Sequence, residues 1–163
     1  MANENTAKAN SAEAEQFFQC VTFTLENEVY GINVMQVQEV LRETEVAPVP
    51  GAPHYVIGII NLRGNVVSVI DARSRFGLSA KERDDLTRII VIEVQQHIIG
   101  ILVDSVAEVV DIERSEIETA PNVGNDETSK YIDGVVSRGE KLLILVDLNK
   151  LLSESEWGDI SGF

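Results

Sequence analysis

The chain has 163 residues, 44% of them hydrophobic and 25% charged, and a formal net charge of −14. This is the composition of a globular protein with a real core, and no apolar run approaches the ~18–20 residues that cross a bilayer, so direct membrane insertion is not expected. So large an excess of carboxylates repels phosphate backbones and anionic surfaces, which removes nucleic acid from the expected partners.

Residues 1–16, MANENTAKANSAEAEQ, lack a basic stretch followed by an apolar one. They read as a disordered or partly helical tail rather than a secretory leader, and a cytoplasmic location is expected. Alternation begins at FQCVTFTL (18–25), a strand in which the lone cysteine, Cys20, reads as a buried thiol. Further β-branched runs predict strands at 56–60, 66–70, 89–94, 98–103 and 142–146. Residues 32–41 and 102–110 suit either a helical turn or a bent, valine-rich strand. Two short helices are expected, ARSRF behind Asp71 and LNKLL behind Asp147, each opened by its aspartate as N-cap, with Gly77 closing the first. Beyond Ser153 lies an acidic C-terminal tail, 154–163, whose Trp157 either packs on the domain or stands as an isolated exposed aromatic.

The most informative feature is an internal repeat. YGINVMQVQEV (30–40) aligns without gaps on IGILVDSVAEV (99–109), matching Gly31 with Gly100, Val37 with Val106, Glu39 with Glu108 and Val40 with Val109. Each copy runs into a proline-bearing loop and then into a second shared pattern, YVIGIINLRGNVVSVID (55–71) against YIDGVVSRGEKLLILVD (131–147). Tyr-x-x-Gly, an Arg-Gly turn, an apolar strand and a terminal aspartate follow in the same order, with the Arg-Gly turn displaced by one residue between copies. The reading is two similar β subdomains made of short strands and tight glycine turns, each too small to hold a core comfortably alone and so leaning on the other. A groove between such units is a common place for a partner.

Catalytic chemistry finds no foothold. There is no nucleophile elbow, no phosphate-cradling glycine loop, and neither His54 nor His97 has metal-ligand spacing to another candidate ligand. Asp71 and Asp147 form a matched pair because the chain is duplicated, and capping accounts for both. Val37, Val40, Val106 and Val109 read as core before contact surface. No cofactor or metal is assigned, and an enzyme is not expected.

QVQEVL, the Tyr-x-x-Gly before NLRG, and VVSVIDARSRFG together resemble the chemotaxis coupling protein family, CheW, over roughly residues 17–153. The resemblance implies a mainly β fold of two intertwined SH3-like five-stranded barrels with short helices. It also implies a non-enzymatic adaptor that joins the regulatory domain of the chemotaxis histidine kinase to the cytoplasmic hairpin tip of chemoreceptors, recruited to membrane-associated arrays. The alternative is a scaffold of a related receptor-kinase pathway that does not control motility. Carried over residue by residue, the motif places Arg63 at a protein-interaction site with Asn61 and Gly64 of NLRG, Val37 and Glu39 of QVQEV, and Gly58. It places Val109 towards the receptor-binding groove and Val123 in a loop making a second kinase contact. Ser68 stands where the family usually has proline and Ala72 where leucine is common; Ser68 restores a backbone donor that proline lacks.

Arg63 is the notable residue of this set: a fixed cation in an acidic chain, with a rigid donor fork suited to carboxylates. It is expected to be either a direct interface contact or a brace for one, pairing with Glu39. Gly64 beside it allows a positive φ and close backbone approach.

Overall fold

A computed structural model describes residues 16–42, 44–119 and 130–161. Ten strands carry the fold: β1 (Phe17–Leu25), β2 (Glu28–Asn33), β3 (Val37–Leu41), β4 (Val56–Leu62), β5 (Asn65–Asp71), β6 (Arg88–Val94), β7 (His97–Val103), β8 (Ser105–Glu113), β9 (Ile132–Arg138) and β10 (Lys141–Val146). Short helices accompany them, α1 (Ala72–Arg75) after β5 and α2 (Glu154–Ser161) after β10.

The strands form two five-stranded sheets, ordered β8-β1-β2-β10-β9 and β3-β6-β7-β5-β4. Exchanging each strand for its repeat counterpart (β1 with β6, β2 with β7, β3 with β8, β4 with β9, β5 with β10) converts one order into the other. Two five-stranded units related by the repeat are therefore present, but neither is one half of the chain. β1 and β2 join β8, β9 and β10 in one unit, while β3, β4 and β5 join β6 and β7 in the other. The joints are parallel pairings, β2 on β10 (Tyr30 opposite Ile144) and, equivalently, β5 on β7 (Val69 opposite Gly100).

Where the sequence left a choice between helical turn and bent strand, both segments are mainly strand. Residues 32–41 run through β2, one 3-10 turn over Val34–Gln36, and β3; the Asn33 side chain accepts from Met35 N at 2.9 Å to open the turn. Residues 102–110 pass from β7 into β8 without a helical turn. Both aspartates cap as expected: Asp71 Oδ1 accepts from Arg73 N and Asp147 Oδ1 from Asn149 N, each at 3.0 Å. The second cap opens a 3-10 turn, Leu148–Lys150, rather than an α-helix.

Apolar packing follows the repeat. One barrel is filled by Cys20, Ile112, Val136, Leu143 and Leu145, the other by Ile60, Val67, Val69 and Ile89. Cys20 thus occupies the place of Ile89, and burial pushes its thiol up to about 11, so it is chemically quiet at neutral pH. The third and largest cluster lies along the seam and draws Phe23, Ile32, Ile70, Ile90, Ile101 and Val146 from both sheets. Across this seam runs a file of rings, Phe23, Tyr30, Phe76 and Tyr131, with successive centroids 5.6, 5.3 and 5.6 Å apart. Trp157 joins the same cluster from α2, only 4% exposed, and stacks on His97 at 5.1 Å. This settles the choice left open for Trp157, since α2 packs back onto the molecule.

Candidate protein-interaction site

The three arginines of NLRG and DARSRF have separate fates, decided by where the strands carry them. Arg73 opens α1 and turns inward. Its guanidinium meets both Asp104 oxygens at 2.7 and 2.6 Å, Glu26 at 2.7 Å and the Ser79 carbonyl at 2.8 Å. It thereby ties the β1–β2 turn to the β7–β8 turn, and the Arg73 hydrogen bonds, opposed by burial, hold the Asp104 carboxyl below the usual carboxylate range. Arg75 points into the seam, where it lies over the rings of Tyr55 (4.8 Å) and Tyr131 (5.4 Å), the tyrosines that open Tyr-x-x-Gly in each repeat. Arg63 alone of the three stays out, with 71% of its side chain exposed.

Arg63 occupies the first position of a two-residue hairpin between β4 and β5, where Leu62 pairs with Asn65. Arg63 and Gly64 have φ of 51° and 86°, the left-handed pair that a tight hairpin needs to match strand twist. Glycine meets this demand without cost, whereas arginine meets it against its steric preference. The Asn61 side-chain oxygen, Oδ1, accepts from Gly64 N at 2.9 Å and stiffens the turn. In the second repeat the displaced Arg-Gly leaves Arg138 at the end of β9 and puts Gly139, at φ 64°, into the turn.

From this turn Arg63 reaches Glu39 on β3 with both arms of its fork, Nη2 to Oε1 at 2.5 Å and Nη1 to Oε2 at 3.3 Å. β3 and β4 are the two outer strands of their sheet, so the pair clasps the edges where the sheet has curled onto itself. The backbone continues the closure. Ala47, just after β3, exchanges two 2.8 Å hydrogen bonds with Ile59 on β4. The other barrel closes in the same manner: Glu118 bridges Val135, and Arg138 donates to the Asp111 carbonyl on β8. Arg138 also has a carboxylate nearby, Glu116 at 3.9 Å, a looser pairing than Arg63 with Glu39, and the Arg63 hydrogen bonds keep Glu39 below the ordinary carboxylate range.

Of the residues that the sequence marked, Glu39, Asn61, Arg63 and Gly64 converge on this closure. Val37 lies on β3 but turns partly inward against the seam cluster. Gly58 is buried, and a Cβ there would stand 2.2 Å from the Ala47 carbonyl oxygen; the glycine exists so that the loop after β3 can lie against β4. Val109 is on β8 of the other barrel and is 51% exposed. Its repeat mate Val40 is also exposed, while Val106 packs on the seam cluster like its own mate Val37. Reading all four valines as core is therefore right for one pair and wrong for the other. Val123 lies outside the described residues.

The sequence reading missed what surrounds Arg63. A shallow groove runs beside it, lined by Leu62, Val66, Ile98 and Ser68 from the sheet and by Ile160 from α2. Val66 and Ile98 are both exposed apolar side chains in this groove. Strand alternation in NVVSVID and HIIGILV marks one face of each strand as outward, yet nothing in either run says that the outward faces adjoin. Ser68 lies on β5 between β4 and β7, facing Ile59 on one side and Ile99 on the other, an interior strand position that suits a residue with an N–H.

Among the described residues no cluster of three or more metal-binding side chains occurs, and no helix is long and apolar enough to cross a membrane. Two closed barrels sharing an apolar seam, with an ion-paired closure and exposed apolar side chains on the surface, define a scaffold of the two-barrel SH3-like class. A family model, the CheW-like domain, matches residues 19–156. The chain is 38% identical over 134 residues to the chemotaxis protein CheW of Klebsiella aerogenes, covering 82% of this chain and 81% of that one. It is 36% identical over 146 residues to the chemotaxis protein CheW of Treponema pallidum, covering 87% and 86%. Its fold matches the crystal structure of the scaffolding protein TtCheW from Thermoanaerobacter tengcongensis with a TM-score of 0.78 and 32% identity, over 85% of this chain and 94% of that one. The chain belongs to the CheW-like domain family, and its role is that of a chemotaxis coupling adaptor.

Proposed function

We propose that this adaptor binds the regulatory domain of a chemotaxis histidine kinase and the cytoplasmic hairpin tip of chemoreceptors together, at membrane-associated arrays, and acts without catalysis. The observation that carries this reading is the Arg63–Glu39 closure: an exposed, bidentate ion pair on a tight hairpin, bordered by the exposed apolar Val66. A charged fork held rigid beside apolar surface can orient a partner and exclude others, which is what electrostatic complementarity does best at an interface. Glu39, Asn61, Arg63 and Gly64 form the kinase-facing site, with Val37 and Gly58 shaping the strands beneath it. Val109, on the other barrel, faces the receptor. Two partners on separate barrels can communicate because each barrel draws strands from both halves of the chain and the two share one seam. To shift the kinase, the adaptor must favour one receptor state over the other.

The test is calorimetric titration into the isolated kinase regulatory domain, with Arg63→Asn as the variant. Asparagine tolerates the left-handed turn, so the substitution removes the guanidinium while keeping the hairpin. Micromolar binding by the wild type, weakened about tenfold in the variant, is the expected result. Absence of binding by the folded wild type overturns the reading.

A further inference from the structure

The groove beside Arg63 is not made by the sheet alone. Its wall includes Ile160, and Ile160 belongs to α2, the segment that the sequence sets apart as an acidic tail. Three contacts dock this helix. Trp157 stacks on His97, the first residue of β7, and Ile160 is 7% exposed in the seam cluster. The third contact is Glu156, whose two oxygens receive Arg75 Nη1 and Nη2 at 2.9 and 2.8 Å.

Glu156 has a second task. Its Oε1 accepts from Ser153 N at 2.8 Å while Ser153 Oγ accepts from Glu156 N at 3.2 Å, a reciprocal capping box that starts the helix. Arg75 in turn is held from three sides, by the rings of Tyr55 and Tyr131 and by the Leu151 carbonyl, which accepts from Nε at 2.8 Å. One guanidinium therefore connects a tyrosine from each repeat to the helix that borders the groove. This contact has no counterpart in the repeat, because Leu151 stands where Arg75 does.

We infer that α2 is a latch-held wall of the Arg63 groove: Arg75 in the seam fixes α2 through Glu156, and α2 supplies Ile160 to the surface that the kinase regulatory domain meets. Ile160, almost wholly buried, thereby shapes the groove as part of its wall, and Arg75 and Glu156 are positioning residues acting through the helix. The inference rests on the reading of that groove as the kinase-facing site, and extends it by making the site incomplete without the C-terminal segment.

Trp157 is the chain's one tryptophan, so its fluorescence reports α2 docking without any partner present. The experiment compares full-length wild type, Arg75→Ala, Glu156→Gln and Ile160→Ala, each confirmed folded by circular dichroism, in Trp157 emission and in calorimetric affinity for the kinase regulatory domain. Glu156→Gln keeps an oxygen for Ser153 N and removes the charge, which leaves an informative variant if Arg75→Ala does not fold. Arg75→Ala and Glu156→Gln are expected to shift Trp157 emission to the red and weaken binding roughly fivefold or more. Ile160→Ala removes a docking contact as well as part of the groove wall, and is expected to weaken binding by a similar factor, roughly fivefold, with a smaller red shift than the latch variants. Unchanged emission in both latch variants overturns the latch. Shifted emission with unchanged affinity, or unchanged affinity in Ile160→Ala, overturns the role of α2 in the site. If the folded wild type does not bind at all, the kinase-facing reading fails and the wall's purpose with it, while Trp157 emission still reports separately whether the latch exists.

Discussion

At the scale of single residues, three arginines from one short stretch are distinguished by their surroundings alone. Arg63 and Glu39 are solvent-facing, and a pair of this kind contributes little to stability but much to orientation. Arg63→Asn and Glu39→Gln are accordingly expected to leave the melting temperature nearly unchanged. Each should weaken kinase binding, and the double variant should lose less than the sum of the two, as a double-mutant cycle by calorimetry will register. Strict additivity would mean that the two side chains act independently. Arg73 is the opposite case, a buried guanidinium with carboxylates on two turns. Arg73→Ala leaves Asp104 facing Glu26 without its cation and should cost roughly 3 kcal/mol in urea unfolding. The pH dependence has a definite sign. Asp104 titrates lower in the folded protein than in the unfolded chain, where the reference is about 3.9. Its contribution is complete above that reference and disappears as pH falls through the lower native value. Stability should therefore drop in acid below about pH 4, and Arg73→Ala should flatten that part of the curve.

At the scale of elements, the recurring Tyr-x-x-Gly is a device for closing a barrel. The tyrosine carbonyl receives the N–H of the capping aspartate, Asp71 to Tyr55 at 2.9 Å and Asp147 to Tyr131 at 2.8 Å. Three residues on, the glycine lets a loop lie against the strand, at Ala47 in one repeat and at Glu118 in the other. A methyl group at Gly58 meets backbone at 2.2 Å, and one at Gly134 meets the Ile117 side chain at 2.5 Å. Backbone yields less readily than a side chain, so Gly58→Ala should be the costlier change, about 2–3 kcal/mol against roughly 1 for Gly134→Ala. Hydrogen exchange should show faster exchange at Ala47 and Ile59 in the Gly58 variant, because those amides form the displaced bridge. Weakened kinase binding in Gly58→Ala would then trace to the strands under Arg63 and not to a lost contact at Gly58.

At the scale of the whole molecule, the two barrels are interlocked through shared halves. Residues 16–87 contain β1–β5 and residues 88–161 contain β6–β10, yet the sheets mix the two sets. Neither fragment can complete a barrel, since β1 lacks β8 and β6 lacks β3. Prepared separately, each fragment should give a largely unfolded circular dichroism spectrum, and an equimolar mixture should regain sheet signal. A fragment that folds alone would show that strand exchange is not needed for closure. The interlocking also bears on signalling: any change in the angle between barrels must pass through the seam occupied by the Phe23–Tyr30–Phe76–Tyr131 file and Arg75.

Local chemistry was enough to foresee the strands of the longer β-branched runs, both aspartate caps, the buried Cys20 and the duplication itself. Residue order also marked NLRG and QVQEV, through their resemblance to a family, as parts of one site, and the hypothesised Arg63–Glu39 pair is present. These features depend on alternation, on side chains reaching a backbone two residues away, and on matched patterns, all of which a linear chain displays. Which strands become neighbours does not have that character. Alternation tells which face of a strand is buried but not what lies beside it, so the exchange of halves, the adjoining outward faces of β5 and β7, and the exposure of Val40 and Val109 required the folded molecule. The seam position of Arg75 and the docking of α2 are of the same kind. Each arises from contacts between segments far apart in the chain, and the burial that stabilises them exists only once both segments are in place.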